Sequence, residues 1–92
     1  MYEITVAVCV YKQKEWLHRC LRSLNSQTLE KSRYEVVVVN DDPEETLDDV
    51  IDIFTEHMNI RVINNEKNLG LPTSLNKILK KSMSKYFVRV DC

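Results

Sequence analysis

A chain of 92 residues, 43% hydrophobic and 29% charged, fits one small globular domain and excludes an intrinsically disordered segment. So short a chain buries roughly two-thirds or less of its unfolded surface, so its core is modest. A formal charge of −1 excludes a whole-molecule field that would capture nucleic acid or an anionic membrane.

The charge is unevenly spread. Eight acids and no base lie between Asp41 and Glu56, whereas seven bases and only Glu66 as an acid lie between Arg61 and Arg89. Two solvated helices account for this, and a basic surface facing phosphates or lipid headgroups is the alternative.

In chain order, Ile4 to Val10 (ITVAVCV) is a short β-branched run and predicts a strand. Lys14 to Ser26 places Trp16, Leu17, Cys20, Leu21 and Leu24 on one helical face, with His18 off it at the surface. Tyr34 to Val39 is a second strand, so continuously apolar that both faces must be covered. A helix from Glu44 to Glu56 puts Leu47, Val50, Ile51 and Phe54 on one stripe. Asp42 is its expected N-cap, with Pro43 at the first position and Glu45 completing a capping box. Ile60 to Ile63 is a short third strand. Leu75, Ile78 and Leu79 mark a third helix, with Pro72 in its first turn, and Tyr86 to Val90 is a fourth strand. No run approaches the length of a membrane span, and no leader is expected before the first strand.

The alternation β-α-β-α-β-α-β predicts an α/β fold, a Rossmann-like three-layer α/β/α arrangement around a parallel sheet. Ligands bind such sheets beyond the carboxyl ends of the strands. The informative residues are therefore Tyr11 and Lys12, then Asn40 to Asp42, then Asn64 to Gly70, then Asp91.

Asp41 precedes the expected cap. It is equally suited to bonding its own turn or to accepting a hydrogen bond from a nucleobase imino group or ribose hydroxyls. Asp91 is either a solvated strand end or a partner to a sugar nucleotide or hard divalent cation. Gly70, the only glycine, either makes a simple turn or lets the backbone approach a phosphorylated ligand. Tyr11 either stacks on a base or covers the core. Cys9, Cys20 and Cys92 are odd in number and lack CxxC spacing. Cys9 and Cys20 are expected to be buried thiols, which points to a reduced, cytoplasmic setting.

Taken in order, "ITVAVCVYKQKEWLHRCLRSLNSQT", "YEVVVVNDD", "NLGLPTSLNKIL" and "YFVRVD" resemble the start of family 2 glycosyltransferases of GT-A fold. The family's Leu-x-Ser-Leu-x-x-Gln-Thr helix ending is matched by Leu21, Ser23, Leu24, Gln27 and Thr28. Its second strand ending is matched by Val38, Val39, Asn40 and Asp41, and its Asn-x-Gly with a following helical Asn by Asn68, Gly70 and Asn76.

The resemblance implies a nucleotide-sugar-binding subdomain over residues 1–92, the N-terminal half of a GT-A fold. Cys9, Val10 and Tyr11 would line the base pocket, Asp41 would bond the base, and Asn68 and Gly70 would lie near the nucleotide. Asp91 would open the Asp-x-Asp motif that meets ribose and a divalent metal, Mn²⁺ or Mg²⁺. The implied reaction moves a sugar from a nucleotide diphosphate donor, a uridine diphosphate sugar, to an acceptor the sequence does not identify. The second motif acid, the acceptor site and the catalytic base would lie beyond Cys92, so these 92 residues alone are expected to be inactive and to come from a longer protein. The open side of the sheet would invite edge-strand self-association.

Lys12 departs from the family's usual Asn, and Asp42-Pro43 from its Gly-Ser. A non-catalytic nucleotide-binding or interaction domain is the alternative. A phosphoacceptor receiver module fits less well, because its acid pair closes the first strand, where this chain has Tyr11-Lys12.

Overall fold

The computed structural model of the protein describes residues 2–27, 30–81 and 83–90. Its elements run β1 (Ile4–Val10), α1 (Lys14–Asn25), a single 3-10 turn (Lys31–Arg33), β2 (Tyr34–Asn40), α2 (Asp48–Phe54), β3 (Ile60–Asn64), α3 (Leu71–Lys81) and β4 (Tyr86–Arg89). The four strands form one parallel sheet in the order β3-β2-β1-β4. This is the expected α/β architecture.

Strand order explains why the helices divide between the two faces. The chain steps from β1 to β2 to β3 in one direction, then returns past both to place β4 on the far side of β1. Right-handed crossovers put α1 and α2 on one face and, with the direction reversed, α3 on the other. The reversal makes the carboxyl rim beside β1 the switch point at which open α/β sheets take ligands.

The side chains follow this division. Val6, Val8, Val10, Val36 and Val38 pack with Leu17, Cys20 and Leu21 of α1 and Val50, Ile51 and Phe54 of α2. Ala7, Val37 and Val39 face the other way, against Ile78, with Cys9, Ile63 and Leu75 at the margin. All four valines from Val36 to Val39 are fully buried, so β2 is covered on both faces as its composition requires. Each such side chain contributes about 1.5–3 kcal/mol.

Several expectations are corrected. Asp42 is not the cap of α2: the helix begins at Asp48, four residues later than expected, with Leu47 at the N-cap and no side-chain cap bond. Asp42 Oδ1 instead accepts the Glu44 N–H at 3.0 Å and closes a turn. Trp16 is only half-buried, so it is not the head of the core stripe. Leu79 is half exposed, so α3 meets the sheet through Ile78 rather than through both. His18 is not a free surface residue, since its ring packs 5.7 Å from that of Phe54 where α1 meets α2. Cys9 is half-buried and Cys20 is buried. Among the described residues no helix is long and apolar enough to cross a membrane.

Candidate functional site

Three strand ends share one rim. Val10 of β1 pairs with Asn40 of β2, which pairs with Asn64 of β3. The residues that follow, Tyr11, Asp41 and Asn65, therefore emerge side by side, and Asp41 donates its N–H to the Val10 carbonyl at 2.9 Å. The twofold alternation of a strand sends Asp41 to the α3 face, as it does Cys9, Val37 and Val39.

There the Asp41 carboxylate, only 5% exposed, accepts three hydrogen bonds from its own chain. Oδ1 takes Nδ2 of Asn65 at 2.7 Å and the backbone N–H of Leu69 at 2.8 Å. Oδ2 takes the backbone N–H of Gly70 at 2.9 Å. Lys77, on α3, donates from Nζ to Oδ1 of Asn65 at 2.7 Å and completes a chain of contacts from α3 to β2. Burial pushes the Asp41 carboxyl up. The bonds from Leu69, Asn65 and Gly70 and the Lys77 charge outweigh it and hold the group below its ordinary value.

The loop that Asp41 gathers is Asn65 to Gly70. Gly70 sits at φ +82°, a conformation costly to any residue with a Cβ, although nothing lies within 4 Å of where one would stand. The glycine is required by the backbone turn, not by crowding. Oδ1 of Asn68 also accepts the Gly70 N–H, at 3.1 Å, and tightens the same bend.

Tyr11 is 43% exposed at the end of β1, with the Lys12 ammonium 5.2 Å from its ring centroid. It does not cover the core, which leaves its ring available for stacking. Lys12 itself has φ 56°, the left-handed region that Asn tolerates better than Lys. The sharp turn it makes separates the strand end from α1.

The expected site residues are thus placed as follows. Cys9, Tyr11, Asp41, Asn68 and Gly70 lie at or just below one rim. Val10 requires a correction: its side chain is 2% exposed in the α1–α2 core, because an even-numbered position of β1 faces away from α3, so only its main chain reaches the rim. Asp91 lies outside the described residues. Among the described residues no three His, Cys, Asp or Glu side chains gather as a metal site.

Asn65 falls within the informative stretch Asn64 to Gly70 but has no role assigned by sequence, and Lys77 has none either. Alternation from Ile63 places Asn65 on the Asp41 side, a signal that was legible; the Lys77 contact is set only by how α3 packs. Asn40, expected at the rim and matched to the family's strand ending, is buried. Its amide donates to the Glu45 carbonyl at 2.7 Å and to Asn64 Oδ1 at 3.1 Å, and its Oδ1 accepts the Asp42 N–H at 3.1 Å. It ties the turn after β2 to the end of β3.

On the opposite face a cleft of ≈ 580 Å³ opens beside the start of α1, lined by Lys12, Trp16, Arg19, Asp42 and Glu45 among others. Its bases and acids oppose one another, so it carries no net preference for an anion or a cation.

Comparison with known proteins places the chain among relatives. The family model for glycosyl transferase family 2 matches residues 5–92. An uncharacterized glycosyltransferase of Haemophilus influenzae is 34% identical over 89 residues, covering 96% of this chain and 27% of its own length. The amylovoran biosynthesis glycosyltransferase AmsE of Erwinia amylovora is 32% identical over 92 residues, covering 99% of this chain and 34% of its own length. Among solved structures, S. aureus TarS 1–349 superposes with a TM-score of 0.87 at 28% identity, over 99% of this chain and 27% of that one, and is also solved with UDP and with UDP-GlcNAc. The chain spans about a third or less of the length of these relatives. A buried aspartate gathering an Asn-x-Gly loop at the switch point of a parallel sheet and a family match across nearly every residue lead to one conclusion: this chain belongs to glycosyl transferase family 2.

Proposed function

We propose that this chain is the donor-nucleotide-binding part of a glycosyltransferase that moves a sugar from a uridine diphosphate donor to an acceptor. The observation that carries the reading is the Asp41 carboxylate, held by three hydrogen bonds from its own chain at the carboxyl rim where the main chain of β2 leaves the sheet beside that of β1. A carboxylate offers about four acceptor positions. Three are filled from within the chain, which leaves one for a ligand N–H. Tyr11 supplies an apolar face for the base. The 28% identity to TarS, solved with UDP and UDP-GlcNAc, supports a uridine nucleotide.

In this reading the chain's own residues bind and orient the donor. Asp41 accepts a hydrogen bond from the base, Tyr11 stacks against it, and the loop from Asn65 to Gly70 walls the nucleotide. A divalent metal, where present, would neutralise the diphosphate leaving group. Asp91 would contribute to its site, and no cluster of three His, Cys, Asp or Glu side chains lies among the described residues. Binding without turnover is the proposed behaviour of these residues alone.

Isothermal calorimetry with UDP, comparing wild type with Asp41→Ala, tests this. A loss of about tenfold or more in affinity supports the assignment, and equal affinities remove Asp41 from the site.

A further inference from the structure

The way Asp41 is held carries information about which base it can accept. Its two oxygens are not equivalent. Oδ1 receives both Asn65 Nδ2 and Leu69 N–H, so its two lone-pair positions are used. Oδ2 receives only Gly70 N–H among the described residues and keeps one position open.

Chemistry fixes the Asn65 amide in this orientation. The lysine ammonium can only donate and the carboxylate can only accept. Asn65 therefore must turn its Oδ1 to Lys77 and its Nδ2 to Asp41, as observed at 2.7 Å on each side. At 3% exposure the amide has no solvent to turn toward instead.

We propose that Asn65 and Lys77 are specificity-determining positions that leave Asp41 with a single open acceptor on Oδ2, selecting uracil over guanine. The inference rests on the nucleotide reading above and deepens it. Uracil presents one N–H between two carbonyls and is satisfied by one acceptor. Guanine presents an imino N–H and an amino group side by side, and pairs with a carboxylate through both oxygens at once. With Oδ1 occupied, one guanine donor would enter the site without a partner, and unpaired buried donors are strongly disfavoured.

The test is the ratio of two affinities, measured by calorimetry on the full chain with UDP and with GDP. Wild type binds UDP more tightly by about tenfold or more. Asn65→Ala opens a position on Oδ1, and Lys77→Met releases the amide; each narrows the ratio to about threefold or less, while Lys77→Arg preserves it. A merely structural role lowers both affinities together and leaves the ratio unchanged, which overturns the proposal, as does a wild type that prefers GDP. If Asn65→Ala fails to fold by circular dichroism, the Lys77 pair decides. A wild type that binds UDP with unaltered ratios in the variants sinks this inference alone. A wild type that binds neither nucleotide sinks the donor-binding reading and this inference with it.

Discussion

Gly70 donates its backbone N–H to Oδ2 of Asp41 at 2.9 Å, 29 residues away in sequence, and so ties the start of α3 to the end of β2. The same carboxylate holds Leu69 and Asn65, so one side chain closes the whole loop against the sheet. Removing it takes an acceptor from the part-buried Leu69 N–H and from the buried Asn65 amide, while Gly70 keeps only its longer bond to Asn68 Oδ1. Asp41→Ala is expected to cost roughly 2–3 kcal/mol, read as a lower urea midpoint at unchanged slope. Hydrogen exchange at Leu69 and Gly70 should accelerate before that of the central β2 amides. A variant as stable as wild type contradicts the clamp.

Acid should reveal the same carboxylate. Its folded pKa is lowered, so its stabilising contribution is fully present above the ordinary unfolded value of ~3.9 and is lost as pH falls through the lower folded value. Asp49, whose carboxyl is held down chiefly by its bond to Lys14, shifts in the same direction, but that pair is exposed and contributes little. The melting temperature of wild type should fall more steeply than that of Asp41→Asn below about pH 4. Parallel curves would assign the acid sensitivity elsewhere.

Gly70→Ala separates backbone strain from crowding. With φ +82° and open space above it, the added methyl meets no atom, so the expected loss of about 1–2 kcal/mol comes from the left-handed backbone alone. Asn, which tolerates this region, should lose less than Ala. Equal losses would point to a different cause.

Lys12 is the complementary case, a residue other than glycine at φ 56°. Lys12→Asn should raise the melting midpoint by a few degrees, since Asn is far more at home there. It also removes the ammonium from the Tyr11 ring, so a change in nucleotide affinity without loss of stability would show that Lys12 shapes the stacking surface.

Much of this fold was legible because β-branched runs and helical stripes are local signals. Val36 to Val39 demanded two covered faces and received them, and Leu17, Cys20 and Leu21 recur at helical spacing and are buried. The start of α2 differs from the sequence expectation for a definite reason. Asp42, Pro43 and Glu45 spell a capping box, but Asn40 bonds the Glu45 carbonyl and the Asp42 N–H, and these ties hold the segment as a turn. Local pattern lost to a tertiary anchor. In the site, Asp41 could be located from sequence because strand ends define the rim. Its partners could not all be found, because Lys77 reaches Asn65 only through the packing of α3 on the sheet.

The most direct test is an amide NMR titration of the protein with UDP. Donor binding at the switch point predicts that Tyr11, Asp41, Leu69 and Gly70 shift together while residues at the opposite sheet end, such as Glu3 and Arg33, stay still. Shifts confined to that opposite end, or none at millimolar UDP, would contradict it.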